Sequence, residues 1–100
     1  MQQGEMNLTE CKNIEEVREN INRIDREIIK LISQRSLYVS QAAKFKKTAE
    51  DVKAQSRVEE IISKVRGLAV EFDLDPDIVE KVYRTMITCF IDYELKVHKK

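Results

Sequence analysis

Five charged residues have types and spacings that can do chemistry: Arg18, Arg35, Lys46, Arg57 and Glu94. Cationic side chains gathered on one face attract an anionic guest, and guanidinium groups do so through paired, oriented hydrogen bonds. Arg35 is the anomaly. Stepping by seven from Ile14 gives Ile21, Ile28, Arg35 and Ala42. A guanidinium therefore sits in an otherwise apolar seam, where it is costly unless paired. Lys46 follows eleven residues later, about three helical turns, and returns to nearly the same face. Two cations on one inward face, with no acid at a neighbouring seam position, fit an anionic guest. The alternative is that both reach water or pair with Glu or Asp from another helix. Arg18 precedes Arg35 by seventeen residues, about 25 Å along a helix and roughly 100° round. It cannot share a small pocket with Arg35 of its own chain, but it can share one with Arg35 of an antiparallel partner helix. By pattern alone a solvated surface arginine is the better description. Arg57 and Glu94 each lie beside the buried stripe of their helix. A surface charge at a helix start and an ion pair with a nearby Lys or Arg are their plainer alternatives.

Other chemistries find little support. Cys11 and Cys89 are too few for a disulfide scaffold and lack a metal-ligand spacing. Reduced thiols and a cytoplasmic setting are expected, with Cys89 a small core residue. Cys11 has no neighbouring His to mark it as a nucleophile, and His98 lies near the chain end. No glycine-rich phosphate loop, metal cluster or Ser-His-Asp arrangement occurs. Eighteen basic residues balance eighteen acidic ones, so no basic excess points to nucleic acid or an anionic membrane. No cationic start followed by an apolar run suggests a secretion signal, and no apolar stretch has the length of a membrane span.

The elements that must position these residues are helices. With two Gly and one Pro, the chain lacks the turn residues of a sandwich or barrel, and 42% apolar residues suffice for a core. Residues 1–12 read as a polar lead-in and residues 13–100 as one helical domain. Asn13 with Glu16 three residues on is a capping-box signature. A first helix is expected from Asn13 to about Lys47, with Ile14, Val17, Ile21, Ile24, Ile28, Leu31, Tyr38, Ala42 and Phe45 at alternating steps of three and four. At about 50 Å it is too long for the core of one small globule, and it is expected to pair with a second chain. After a short connection at 48–53, a second helix is expected from about Ala54 to Phe72, burying Val58, Ile61, Ile62, Val65, Leu68 and Phe72. Asp73-Leu74-Asp75-Pro76 marks a boundary, with Asp75 as N-cap and Pro76 at the first helical position. A third helix then runs to about Val97, with Ile78, Val79, Val82, Met86, Phe90 and Tyr93 inward.

The pieces Ile14-Glu-Glu-Val-Arg18, Ile21-Asn-Arg-Ile-Asp25, Leu31-Ile-Ser-Gln-Arg35, Ala42-Ala-Lys-Phe-Lys46, Gln55-Ser-Arg57-Val and Ile91-Asp-Tyr-Glu94 together resemble the all-helical chorismate mutase family, type II. The resemblance covers roughly residues 8–97. It implies an all-α intertwined homodimer in which the long helices pair and each site borrows one residue from the other chain. It implies a small dicarboxylate substrate, chorismate or isochorismate, and a pericyclic reaction with no cofactor and no metal. On that resemblance Arg18 of the partner chain and Arg35 clamp the carboxylates. Lys46 contacts a carboxylate and the ether oxygen of the breaking bond, and Arg57 supplies a further cation. Glu94 stands where the family usually has a glutamine that donates to the ether oxygen. Such catalysis holds the reactive conformer and places cations where negative charge grows.

Three positions set this chain apart within the family. Val58 follows Arg57 where a typical mutase has a glutamate for the ring hydroxyl. Phe90 replaces a small polar residue one turn before position 94. Both changes resemble the isochorismate-pyruvate lyase branch, which makes salicylate and pyruvate. Glu94 departs from both branches. An ionised carboxylate repels charge growing on the ether oxygen, whereas a protonated one donates to it, so activity is expected to rise as pH falls. The alternatives are a chorismate mutase proper, making prephenate in aromatic amino-acid biosynthesis, and a non-catalytic helical dimer that serves as a binding or regulatory module. Glu94 is the residue that most favours the last.

Overall fold

A computed structural model describes residues 10–45 and 57–98. They form three helices: α1 (Ile14–Ala43), α2 (Val58–Glu71) and α3 (Pro76–His98). No described residue lies in a strand. None of these helices is long and apolar enough to cross a membrane.

The helix starts follow local chemistry. The Asn13 side chain accepts the Glu16 N–H at 2.9 Å, and the Glu16 carboxylate reaches back to the Lys12 N–H at 2.9 Å. This is a capping box displaced by one residue on its return arm. Asp75 caps α3, its Oδ1 accepting the Asp77 N–H at 2.9 Å, with Pro76 first in the helix. Both starts agree with the sequence expectation.

Two boundaries differ from it. α1 stops at Ala43, short of Lys47, because its last turn tightens: Lys44 N–H donates to Gln41 C=O and Phe45 N–H to Ala42 C=O. No residue type there signals the stop. α2 begins at Val58, not near Ala54, because Arg57 holds a left-handed backbone (φ 49°, ψ 50°) that no α-helix can include. The expected connection at 48–53 and residues 54–56 lie outside the described residues.

The turn after α2 uses no glycine. Asp73 takes the left-handed position at φ 59°. Leu74 N–H returns to Ala69 C=O at 2.8 Å and Asp73 N–H to Val70 C=O at 3.2 Å. This is a Schellman cap, with the short polar Asp tolerating the conformation that Gly usually fills.

α2 and α3 form an antiparallel hairpin around Ile62, Val65, Ala69 and Ile87, the buried apolar residues. Polar contacts confirm the sense of packing. Glu59, early in α2, takes two hydrogen bonds from Arg84, while Arg66, farther on, donates to Asp77 and Glu80 near the start of α3. Arg84 also donates to Glu80, so one chain of ion pairs runs from Glu59 to Asp77. Hydrogen bonds from Arg84 hold the Glu59 and Glu80 carboxyls below the usual carboxylate range; at Glu80 partial desolvation opposes this and Arg66 reinforces it. Arg66 and Arg84 are correspondingly raised, each chiefly by hydrogen bonds to its carboxylates.

The buried stripes overlap the expected ones in part: Ile62 and Val65 are buried and Val79, Met86 and Phe90 half-buried, as expected. In α2, small Ala69 is buried, while Leu68 and Phe72 stay 45% and 52% exposed. In α3 the inward line is Val79, Tyr83, Ile87, Phe90 and Glu94, at steps of three and four, whereas Ile78, Val82 and Tyr93 stay more than half exposed. Cys89 is exposed, not in the core, because it lies off that line. α1 buries nothing completely. It docks on α3 only through its C-terminal half, where Ile32, Arg35, Ser36, Val39 and Ala43 are half-buried. Its expected seam, Ile14, Val17, Ile21, Ile24, Ile28 and Leu31, stays exposed, as do Tyr38 and Phe45.

Candidate functional site

The groove between the C-terminal half of α1 and α3 gathers the residues with chemistry. The two helices run in the same sense there: Arg35 faces Tyr83 and Phe90, and farther along Ser40 and Ala43 face Tyr93 and Glu94.

Arg35 is the centre of this groove. Its guanidinium carbon lies 5.9 Å from the centroid of the Tyr83 ring and 5.7 Å from that of Phe90. Both distances fall within cation–π range, where the negative ring faces attract the cation. Tyr83 and Phe90 are seven residues apart on α3, so their rings stand on one face two turns apart. No described carboxylate forms an ion pair with Arg35, and none of the described groups takes a hydrogen bond from it. The rings therefore meet the seam's need for a counterpart to the cation. They use no N–H in doing so, which leaves the guanidinium's in-plane donors for a guest.

Glu94 stands one turn beyond Phe90 and is 6% exposed, the one buried charged side chain of the described residues. With Ser40, Ala43 and Tyr93 it lines a cavity of about 70 Å³ that opens to the surface. A buried carboxylate is retained only with compensating contacts or a shared proton, and Glu94 does make polar contact.

The other expected site residues distribute as follows. Val58 is half-buried as the first residue of α2, and Arg57 precedes it as the N-cap. The paired hydrogen bonds from Arg84 to Glu59 hold this end of α2 level with the stretch of α3 that Arg35 touches. The Arg57 side chain is turned outward, 3.4 Å from Glu60, with both groups about two-thirds exposed. Arg18 is exposed on the free half of α1. About 25 Å of helix separates it from Arg35, so one chain does not bring the two together. Lys46 lies outside the described residues. Within one chain the groove thus joins Arg35, Phe90 and Glu94, with Arg57 and Val58 at its level.

Tyr83 escaped the sequence analysis. Its signal was present, since it precedes Phe90 by seven and Glu94 by eleven residues and so shares their face. The Glu59–Arg84–Glu80–Arg66–Asp77 chain escaped as well, because each member alone reads as a solvated helix charge.

Comparison with known proteins agrees with this architecture. The chain is 30% identical over 87 residues to the isochorismate pyruvate lyase of Pseudomonas aeruginosa, covering 87% of this chain and 86% of that protein. The family model for chorismate mutase type II matches residues 17–95, a stretch that includes α2 entire and all but the outer ends of α1 and α3. With that match spanning most of its length, this chain belongs to the chorismate mutase type II family.

Proposed function

We propose that this protein is a cofactor-free pericyclic enzyme that acts on isochorismate, releasing salicylate and pyruvate, with chorismate-to-prephenate rearrangement as a second activity. The observation that carries the proposal is Arg35: a guanidinium in an apolar seam, flanked by two rings, without a carboxylate partner among the described residues. A cation so placed is ready for a substrate carboxylate. The active species is a homodimer, supported by the exposed apolar seam of α1. In it Arg18 of the partner chain takes a second carboxylate, and Lys46 and Arg57 add positive charge around the ether bridge. Glu94 stands beside the ether oxygen of the breaking bond, to which a carboxyl donates only when it carries its proton. In the lyase reaction a ring hydrogen moves to the enolpyruvyl methylene as that bond breaks, so the ring becomes aromatic and pyruvate departs. No nucleophile is required; the protein supplies conformer selection and electrostatic stabilisation.

The preference for isochorismate rests on Val58 and Phe90, apolar where a ring-hydroxyl partner would otherwise stand, and on the similarity to a relative named isochorismate pyruvate lyase. The buried carboxylate of Glu94 favours a second reading, a non-catalytic helical dimer that binds a ligand without turning it over.

A paired assay decides among these. Purified protein is given isochorismate, with salicylate followed by fluorescence, and chorismate, with loss followed by absorbance, each at about pH 5 and about pH 7.5. Salicylate release well above prephenate formation is the expected result. Prephenate alone would make the protein a mutase. Silence on both acids at both pH values, with no binding of a bicyclic dicarboxylate transition-state mimic, would refute the enzyme.

A further inference from the structure

We propose that Tyr83 is a positioning residue for Arg35: with Phe90 it flanks the guanidinium and fixes the direction in which its N–H donors face the groove. The proposal rests on Arg35 serving as the substrate clamp and names the residue that prepares it. Tyr83 and Phe90 stand two turns apart on α3, 5.9 and 5.7 Å from the guanidinium carbon. Tyr83 itself is half-buried, so its ring is partly shielded from water and held by the hairpin. Its neighbour Arg84 is anchored at both ends, to Glu59 of α2 and to Glu80 one turn back. That anchorage fixes the turn of α3 from which the Tyr83 ring projects. A free arginine side chain spends considerable rotamer entropy when it engages a ligand, and holding it beforehand removes that cost from binding. Ring faces suit this task better than a carboxylate would. A carboxylate fixes a guanidinium by occupying its donors, whereas a ring attracts the cation and leaves them available. The aromatic face matters here and the tyrosine hydroxyl does not.

Tyr83→Leu and Tyr83→Phe separate positioning from packing. Leu keeps an apolar filler but removes the ring face, and Phe keeps the face. Having to order one rotamer-rich side chain at the moment of binding corresponds to roughly two- to twelve-fold weaker substrate binding. Because the clamp acts on substrate and transition state alike, KM for isochorismate rises by that factor in Tyr83→Leu while kcat moves less than about two-fold. Tyr83→Phe keeps the parent KM. A merely structural loss would lower the active fraction, and hence kcat, and leave KM unchanged.

A second readout does not depend on turnover. The Arg35 Nε–H proton resonance, assigned by its loss in Arg35→Lys, is expected to be shifted upfield by ring currents in the parent and in Tyr83→Phe. It should move part of the way toward the position of an ordinary arginine in Tyr83→Leu, in which the Phe90 ring remains. An unmoved resonance in Tyr83→Leu overturns the proposal, as does an unmoved KM in an active protein. Should the parent turn over neither acid, the pericyclic function fails by itself, and the resonance alone then decides whether Tyr83 holds Arg35.

Discussion

Ile24 lies midway along the exposed seam of α1, and changing it tests whether that seam is a subunit interface. Its side chain is 44% exposed in the single chain. Burying a whole Ile side chain is worth about 1.5–3 kcal/mol, so covering the exposed fraction is worth about 0.7–1.3 kcal/mol. A two-fold dimer counts each substitution twice. Ala keeps the Cβ, so Ile24→Ala is expected to cost the dimer about 1–2 kcal/mol, roughly a five- to thirty-fold rise in its dissociation constant. Ile24→Glu adds the cost of desolvating two carboxylates, several kcal/mol each, and should leave the protein monomeric at micromolar concentration. Neither substitution weakens the helix itself, since Ala and Glu are at least as helix-favouring as Ile. Arg26, two residues on and roughly 160° round the helix, provides a control, and Arg26→Ala should leave association unchanged. Sedimentation velocity over a concentration series measures all four proteins. A parent that is monomeric at about 100 μM would refute the subunit interface, and so would an Ile24→Glu protein that sediments as the parent dimer.

Glu94→Gln replaces a group whose donor capacity depends on protonation with one that always donates, so the expected rise in activity toward low pH should vanish; an unchanged pH–rate profile would sink the role given to Glu94. Glu59 and Glu80 are held below the usual carboxylate range by Arg84, so their contribution to stability is full above that range and is lost as pH falls through their folded values. The thermal midpoint should therefore drop below about pH 4, and Glu80→Gln should shrink that drop; a parent and variant with parallel pH curves would show that the ion-pair chain does not hold α2 to α3. Asp75→Ala removes the α3 N-cap and should cost about 1 kcal/mol in urea unfolding, with Asp75→Asn close to the parent.

Helix capping was legible because it is local. Asn13 with Glu16, and Asp75 with Pro76, carry their partners within three residues, and the backbone closes on them as expected. Arg35 stood out for a related reason, since a seven-residue step exposes one wrong residue in an apolar column. The left-handed Arg57 and the glycine-free cap at Asp73 were not legible, because neither residue type announces a positive φ. Nor was the choice among stripes. Each helix carries more apolar surface than one chain buries, and only the packing of α3 decides that Ala69 goes in while Phe72 and Tyr93 stay out.

The sequence by itself determined three helices, two of their starts and a cation in a seam, all properties of residues close together along the chain. The tertiary structure decided what that cation meets. Residue types permitted an acid, water or a ring beside Arg35, and the parallel docking of α1 on α3 selected Tyr83 and Phe90. The same docking buried Glu94 at the end of the groove. Such contacts join residues 48 and more positions apart. Periodicity fixes a side chain's face on its own helix but not which face of another helix it will meet.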